Sequence, residues 1–418
     1  MQADTLAGDK TFKLPYQLGV YLAANAVSDA ALIVDGPNCS IPKAEFIYGN
    51  HDLRSTLFSP SGEHRLFYTM TQPLRQSGNP ESLLSVLLDT ASRSELFGVI
   101  MVTALPFMKL AGQDYDGLAA GAAGRTPVTE VPAGSLEGDW LDGYARGLAA
   151  LARALPPGKA KRRKRSVAVA GYLMDRNEGD HAANIRELRG LLKLCGLELA
   201  GVFPGGGNFK SLAAALTADV VVSLPYGREA ASLIAARSGA MLVETELPLG
   251  VKGTAAWLAK VCAAAGVKPG AAAALAQEQA LAALRPALAP LRHKTAVFAG
   301  DPYLYTALAA FLKELGMRPD TAFCCSSHRR LTSAPARLLF APAVGEARNA
   351  VAGLEGFEKP AVLIGNSFAR SEDFAPGVPF VELGFPSYGR HCLTDQPFLG
   401  YAGALRLAER LLNSQLKF

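Results

Sequence analysis

Near-continuous apolar runs recur along this chain and alternate with stretches of three-to-four periodicity. Residues 31–36 (ALIVDG) and 97–105 (FGVIMVTAL) stop at Gly or Pro, the pattern of a strand covered on both faces. Between them, 80–96 reads as a helix with Pro80 at its start. Residues 138–155 read as another, closed by Pro156-Pro157-Gly158. Strand 166–173 (SVAVAGYL) leads into helix 183–195, where Ile185, Leu188, Leu191, Leu192 and Cys195 share one face and Gly196 closes the helix. Strands 197–203, 219–224 and 240–245 follow, and an alanine-rich helical stretch over 270–290 connects onward. The last third reads as strand 294–299, helix 302–315, strands 319–325, 336–341, 361–365 and 379–383, and helix 400–413. Such β–α repetition predicts parallel sheets with right-handed crossovers. The expected fold class is α/β: three doubly wound Rossmann-like domains, 1–157, 158–290 and 291–418, around a central cleft. In such sheets ligands bind at the carboxyl ends of the strands.

Composition narrows the class. Half of the 418 residues are hydrophobic and 19% are charged, which excludes disorder for most of the chain. No stretch of about 18 uninterrupted apolar residues is present, so a membrane-spanning helix is not expected. Residues 1–10 are polar and mixed in charge, unlike a signal peptide, and a cytoplasmic location is expected. The net charge is +5, and the excess sits largely in the KAKRRKR run at 159–165. That run reads as part of an exposed linker, 156–165, and the near-neutral remainder does not suggest a nucleic-acid partner. Six cysteines are too few for a disulfide framework and are expected as thiols.

No Walker A sequence and no GxGxxG opening a helix occur, so no nucleotide is expected on this chain. Gly205-Gly206-Gly207 reads as a flexible loop rather than an anion-binding nest. Neither a CxxC pair nor HExxH is present, so a self-contained zinc or cluster site is not expected. The cysteines are therefore judged by place. Cys195 and Cys262 lie on apolar helix faces and read as core. Cys324 and Cys325 end a strand before Ser326, Ser327 and His328, and as strand neighbours they point to opposite faces. His391 and Cys392 follow a strand, close to Tyr388 and Arg390, and form a candidate polar loop. Cys39 stands in the turn DGPNC, where Gly36 and Pro37 break the strand and hold the thiol at its carboxyl end, the place of a domain-edge ligand. Asp35, His51, Asp52 and His64 lie near it in sequence and read as surface or capping residues.

Several longer strings then become recognisable. Residues 300–317 (GDPYLYTALAAFLKELGM) resemble the strand-to-helix segment of the third domain in the nitrogenase component 1 family. Residues 364–391 (IGNSFARSEDFAPGVPFVELGFPSYGRH) resemble that family's IGNS…P…GFP…RH stretch, and 399–413 (LGYAGALRLAERLLN) its LGY-x-G helix. Residues 247–261 (LPLGVKGTAAWLAKV) resemble its P-x-G-x-x-x-T segment, and 184–199 fit its second-domain helix. The resemblance is strongest over 184–413 and closest to the beta-type chains of nitrogenase, its cofactor-assembly scaffold and the dark-operative protochlorophyllide reductase. Segment 19–39 (GVYLAANAVSDAALIVDGPNC) resembles the family's strand and GP-x-x-C turn more loosely.

The resemblance implies that Cys39 is a ligand of an iron–sulfur cluster between two similar chains, with Cys392, His391 and Cys324 as weaker candidates. The family's further cysteines, expected in a loop near Leu18–Val20 and after strand 97–105 where Ala104, Leu105 and Pro106 stand, are missing. A [4Fe–4S] cluster takes four ligands, usually thiolates, so it would be shared with a homologous alpha-type chain, or, as a lesser expectation, completed in a homodimer. The second-domain strand end VVSLPYGRE (221–229) has no cysteine, so the nitrogenase molybdenum cofactor is not expected here. The implied function is that of a subunit of a nitrogenase-like two-component oxidoreductase, supplied with electrons by an ATP-dependent iron–sulfur reductase. The alternative is a non-catalytic scaffold for assembly or transfer of a metallocofactor.

Overall fold

The computed structural model describes residues 11–38, 41–45, 47, 49–58, 64–70, 80–109, 114–122, 124, 126–156, 161–327, 331, 335–370 and 374–415. Every named strand pairs in parallel with its neighbours, in three sheets that follow one another along the chain. This is the expected α/β architecture of three doubly wound, Rossmann-like units.

The first unit runs α1 (Tyr16–Asn25), β1 (Ala30–Pro37), α2 (Ile41–Glu45), β2 (Leu66–Met70), α3 (Pro80–Arg93), β3 (Val99–Ala104), α4 (Pro106–Lys109), α5 (Tyr115–Gly121), β4 (Val128–Glu130) and α6 (Trp140–Ala154), with sheet order β2-β1-β3-β4. β1 and β3 are buried along almost their whole length, which is why both read as unbroken apolar runs. α1 is buried at all ten positions. It has no polar face, so no amphipathic period announces it, and the region near Leu18–Val20 expected as a loop is helical. α1 packs against α6 almost backbone to backbone. A Cβ on Gly19 would lie 1.8 Å from the Trp140 carbonyl oxygen, and one on Gly143 would lie 2.0 Å from that of Tyr16. α6 is held at its start by Asp139, in a reciprocal capping box with Asp142.

The second unit comprises β5 (Ser166–Ala170), α7 (Gly179–Leu194), β6 (Glu198–Phe203), α8 (Phe209–Leu212), β7 (Val220–Ser223), α9 (Arg228–Ser238), β8 (Met241–Glu244), α10 (Val251–Ala264) and α11 (Ala271–Leu291), in order β6-β5-β7-β8. Two expectations are corrected here. Residues 161–165 are exposed as a linker should be, but Arg162 bonds the Gly239 carbonyl at 2.6 Å and pairs with Asp219 at 2.9 Å, while Arg163 pairs with Glu198. The charge run is thus laid onto the second sheet; residues 157–160 lie outside the described residues. The glycine cluster is a seam rather than a free loop. The Gly207 carbonyl accepts from Ser28 N–H at 3.0 Å, and Gly206, at φ +78°, leaves no room for a Cβ beside Met174.

The third unit comprises β9 (Thr295–Gly300), α12 (Pro302–Glu314), β10 (Arg318–Cys324), β11 (Arg337–Phe340), α13 (Val344–Ala352), β12 (Pro360–Gly365), β13 (Phe380–Glu382) and α14 (Gly400–Asn413), in order β11-β10-β9-β12-β13. One continuous hydrophobic cluster runs from Phe12 to Leu411 through all three units. The three units therefore share a packed junction.

Candidate functional site

The carboxyl end of β1 is locked from both sides. Gly36 sits at φ +145°, and a Cβ there would lie 2.8 Å from Leu105 Cδ1. Its N–H donates to Thr69 Oγ1 at 2.9 Å. The buried Asp35 accepts from the Thr69 hydroxyl at 2.6 Å and from the Tyr115 hydroxyl at 2.7 Å. Leu105 N–H donates to the Asp35 carbonyl at 3.0 Å, which places the loop after β3 beside the turn after β1. Cys39 itself, two residues beyond Pro37, lies outside the described residues, as does His328. Where the resemblance expected a further cysteine, Leu105 fills the space with an apolar side chain. Among the described residues no group of three or more His, Cys, Asp or Glu could hold a metal ion. The described residues do not build a cluster site by themselves.

The other cysteines are placed apart from one another's chemistry. Cys262 is fully buried and Cys195 packs on the core, as read from sequence. Cys324 is buried at the end of β10, where burial first, and the Asp301 charge second, push its thiol well above the usual range. Cys392 and His391 are engaged in fastening the third unit to the second. Cys392 N–H donates to Glu178 Oε2 at 2.7 Å, its Sγ accepts from Arg176 at 3.6 Å, and His391 Nδ1 meets Glu178 Oε1 at 2.8 Å.

The polar centre that sequence reasoning missed lies at the junction of the three units. His51, read as a surface residue, is 0% exposed. Its Nδ1 accepts from Ser387 N–H at 2.9 Å, which assigns the ring proton to Nε2, 3.1 Å from Asp175 Oδ2. That Nε2 lies off the line of a strong hydrogen bond to the carboxylate, so with a neutral ring the contact is between a charge and the N–H dipole. The other Asp175 oxygen is 2.8 Å from His181 Nε2. His181 Nδ1 lies 2.7 Å from the Tyr172 hydroxyl, which also accepts from Asn184 Nδ2 at 2.9 Å. That hydroxyl can rotate to serve the neutral or the protonated ring. Burial works against the Asp175 charge, but the charges and hydrogen bonds of His181 and His51 hold the carboxyl well below its usual range. Burial also works against a charged His181, and Asp175 and Asp180 outweigh it, so the imidazole is held above its usual range. Asp52, also buried rather than superficial, accepts from Asn25 Nδ2 at 2.9 Å and from Asn177 N–H at 3.1 Å, binding the first unit to the second. No local pattern marks His51 and Asp52, because the contacts that join them to the other units, to Asp175, Ser387 and Asn177, reach across more than a hundred residues.

Beside this centre the carboxyl ends of β5, β7, β9 and β13 enclose a cleft of about 780 Å³ including its mouth. Asp301, which follows β9, caps α12 by accepting from Leu304 N–H at 2.8 Å, and accepts from the Tyr226 hydroxyl at 3.0 Å, both on Oδ1. Oδ2 is buried without a hydrogen-bond partner. Burial pushes this carboxyl up to about 6, against the opposing bonds from Leu304, Tyr226 and Tyr303. A carboxyl raised on folding loses stability as pH climbs from its unfolded pKa toward its folded one. Asp301→Asn keeps the helix cap and stays neutral. It is therefore expected to match the wild type near pH 4 and to exceed it at pH 7 by about 3 kcal/mol. Urea unfolding at the two pH values measures this, and an unchanged difference between the variants across that range would contradict it.

These features define a three-unit parallel α/β protein with a buried ionic junction and a cleft at the strand ends. The family model for nitrogenase component 1 type oxidoreductases matches residues 17–416, and the chain belongs to that family. The nitrogenase molybdenum-iron protein beta chain of Sinorhizobium fredii is 27% identical over 263 residues, covering 57% of this chain and 51% of that protein. That of Frankia alni is 32% identical over 179 residues, covering 41% and 34%. The matched region thus spans about half the length of these curated relatives or less. A structure of nitrogenase Cp1 at pH 6.5 shares the fold at a TM-score of 0.81, with 17% identity over 99% of this chain and 94% of that one. Among the described residues no helix is long and apolar enough to cross a membrane.

Proposed function

We propose that this chain is a beta-type subunit of a nitrogenase-like two-component oxidoreductase. In this reading Cys39 supplies one thiolate to a [4Fe–4S] cluster at the boundary with a homologous alpha-type chain, which completes the ligand set. Bound there, the cluster supplies one-electron transfer, with electrons arriving from an ATP-dependent iron–sulfur reductase. The observation that carries the reading is the family match over residues 17–416, together with the Gly36-Pro37-Asn38-Cys39 turn, one residue shorter than the family's GP-x-x-C, that follows β1 in sequence. The roles of this chain's own residues follow from their positions. Thr69 and Tyr115 hold Asp35 and so fix the strand end from which the turn departs. Leu105, packed on Gly36, keeps that edge apolar on this chain's side, and low polarity around a cluster tunes its potential. The lack of a phosphate-binding loop in the sequence fits a separate ATP-using component.

The test is anaerobic purification alone and with the product of the neighbouring gene, followed by iron and sulfide assays and reduced-state EPR. Cys39→Ala is expected to remove most of the iron and the EPR signal from the complex. Iron content unaffected by that substitution would remove the assignment. Electron uptake that requires an ATP-hydrolysing reductase supports the enzyme, whereas release of the metal centre to an acceptor protein without such uptake supports the assembly scaffold.

A further inference from the structure

A helix on a protein surface ordinarily turns charged residues outward, and α11 does not. Its buried side, Ala273, Ala280, Leu284, Ala287 and Leu291, packs against α14, α10 and α7. Its outer side is apolar as well. Leu275 is 54%, Leu281 37% and Leu288 36% exposed, and among the exposed residues of this helix only Glu278, Gln279 and Arg285 are polar. A helix that is apolar all round is normally covered all round. Among the described residues, Glu278 and Arg285 have no ion-pair or hydrogen-bond partner in their own chain.

The order of residues on that outer face is symmetric. At about 3.6 residues per turn, Ala274, Glu278, Leu281, Ala282, Arg285 and Ala289 form one row along the helix, flanked by Leu275 on one side and Leu288 on the other. The middle of the row falls between Leu281 and Ala282. Glu278 and Arg285 stand equally far from it, as do Leu275 and Leu288, and Ala274 and Ala289. Pro286 and Pro290 fall outside the row. A face ordered in this way matches itself when a second copy is turned about a two-fold axis and laid alongside.

We propose that the outer face of α11 docks against the same face of a second copy of this chain, in an antiparallel, two-fold symmetric helix pair. Leu281 and Ala282 then meet their own equivalents at the axis. Glu278 of each copy faces Arg285 of the other, so each lone charge gains a partner. Leu275 of each copy lies over Ala289 of the other, and Leu288 over Ala274, so every large side chain meets a small one. The charge order selects both the occupant and its direction. A parallel pair would set Glu278 against Glu278 and Arg285 against Arg285, which repel. Opposed helix dipoles favour the same direction.

The contact involves neither Cys39 nor a cluster, so it is tested on the full chain without iron, and its failure leaves the proposed function untouched. Sedimentation equilibrium is run from about 1 to 100 µM, the range of a modest interface. Reversible dimerisation is expected. Leu281→Glu sets like charges at the axis and is expected to raise the dissociation constant by about tenfold or more. Glu278→Arg and Arg285→Glu, made singly, each turn two attractive pairs into repulsive ones, and each is expected to weaken the dimer about tenfold. The double exchange, Glu278→Arg with Arg285→Glu, is expected to restore the wild-type value within about threefold. All three positions are exposed, so the circular dichroism of the variants should match that of the wild type. Should Leu281→Glu not fold, the charge exchange decides. A monomer throughout the range would overturn the proposal, as would a dimer indifferent to these substitutions or single exchanges that the double exchange does not rescue. A chain that is monomeric alone, and whose complex with the product of the neighbouring gene is broken by Leu281→Glu, would overturn it in favour of that partner.

Discussion

Asp175→Ala is expected to lower the free energy of unfolding at pH 7 by about 3–5 kcal/mol, the usual consequence of removing one partner from a buried ionic cluster. Asp175 lies between His51 from the first unit and His181 from the second, at 3.1 Å and 2.8 Å, and Ser387 of the third unit fixes the His51 tautomer. Alanine leaves two buried imidazoles without their acceptor and opens a polar void where three units meet. The pH dependence has a definite sign on each side. The depressed Asp175 carboxyl contributes stability above its ordinary range, and that contribution is lost as pH falls through its lowered pKa. The raised His181 contributes below about pH 6.5, and its share is lost as pH climbs through its raised pKa. Urea unfolding at pH 5, 7 and 9 is expected to show the largest loss at the lowest of these values, where both charges are present. A loss under about 1 kcal/mol at pH 7 would mean that packing alone holds the units together.

Gly19→Ala is expected to destabilise by about 3 kcal/mol or more, against the ordinary preference of a helix for alanine. The reason is the contact between α1 and α6. The added methyl would lie 1.8 Å from the Trp140 carbonyl oxygen and 2.5 Å from Tyr144 N, and both are backbone atoms that cannot rotate away. The two helices must separate, and α6 also packs against α9 of the second unit, so the shift spreads. Gly253→Ala in α10 is the internal control. Nothing lies within 4 Å of its new methyl, and it is expected to stabilise by about 0.5–1 kcal/mol. Thermal unfolding of the two variants should move in opposite directions. A Gly19→Ala protein as stable as the wild type would show that α1 and α6 do not approach this closely.

The strands were legible wherever burial on both faces left a continuous apolar run, as in β1, β3, β5 and β9. Helices were legible where one face is polar, as in α7, although its start lies at Gly179 rather than at 183 because Glu178 precedes the apolar period. α1 escaped because it is apolar all round, and β4 because three residues carry no period. The candidate site was legible only in part. The turn holding Cys39 announces itself through Gly and Pro, whereas His51 and Asp52 read as superficial polar residues and are in fact buried.

The amino-acid sequence by itself determined the alternation of strand and helix, the division into three parallel sheets, and the family strings of the last two thirds. These are local properties, since apolar runs, turn residues and helix periods act over a few positions. The tertiary structure alone decided which polar groups are paired. His51 reaches Asp175 across 124 positions and Ser387 across 336, and the worth of each depends on a partner and a dielectric that no local window contains. The same holds for Asp301, whose unsatisfied Oδ2 lies in a cleft lined by residues of both the second and the third unit.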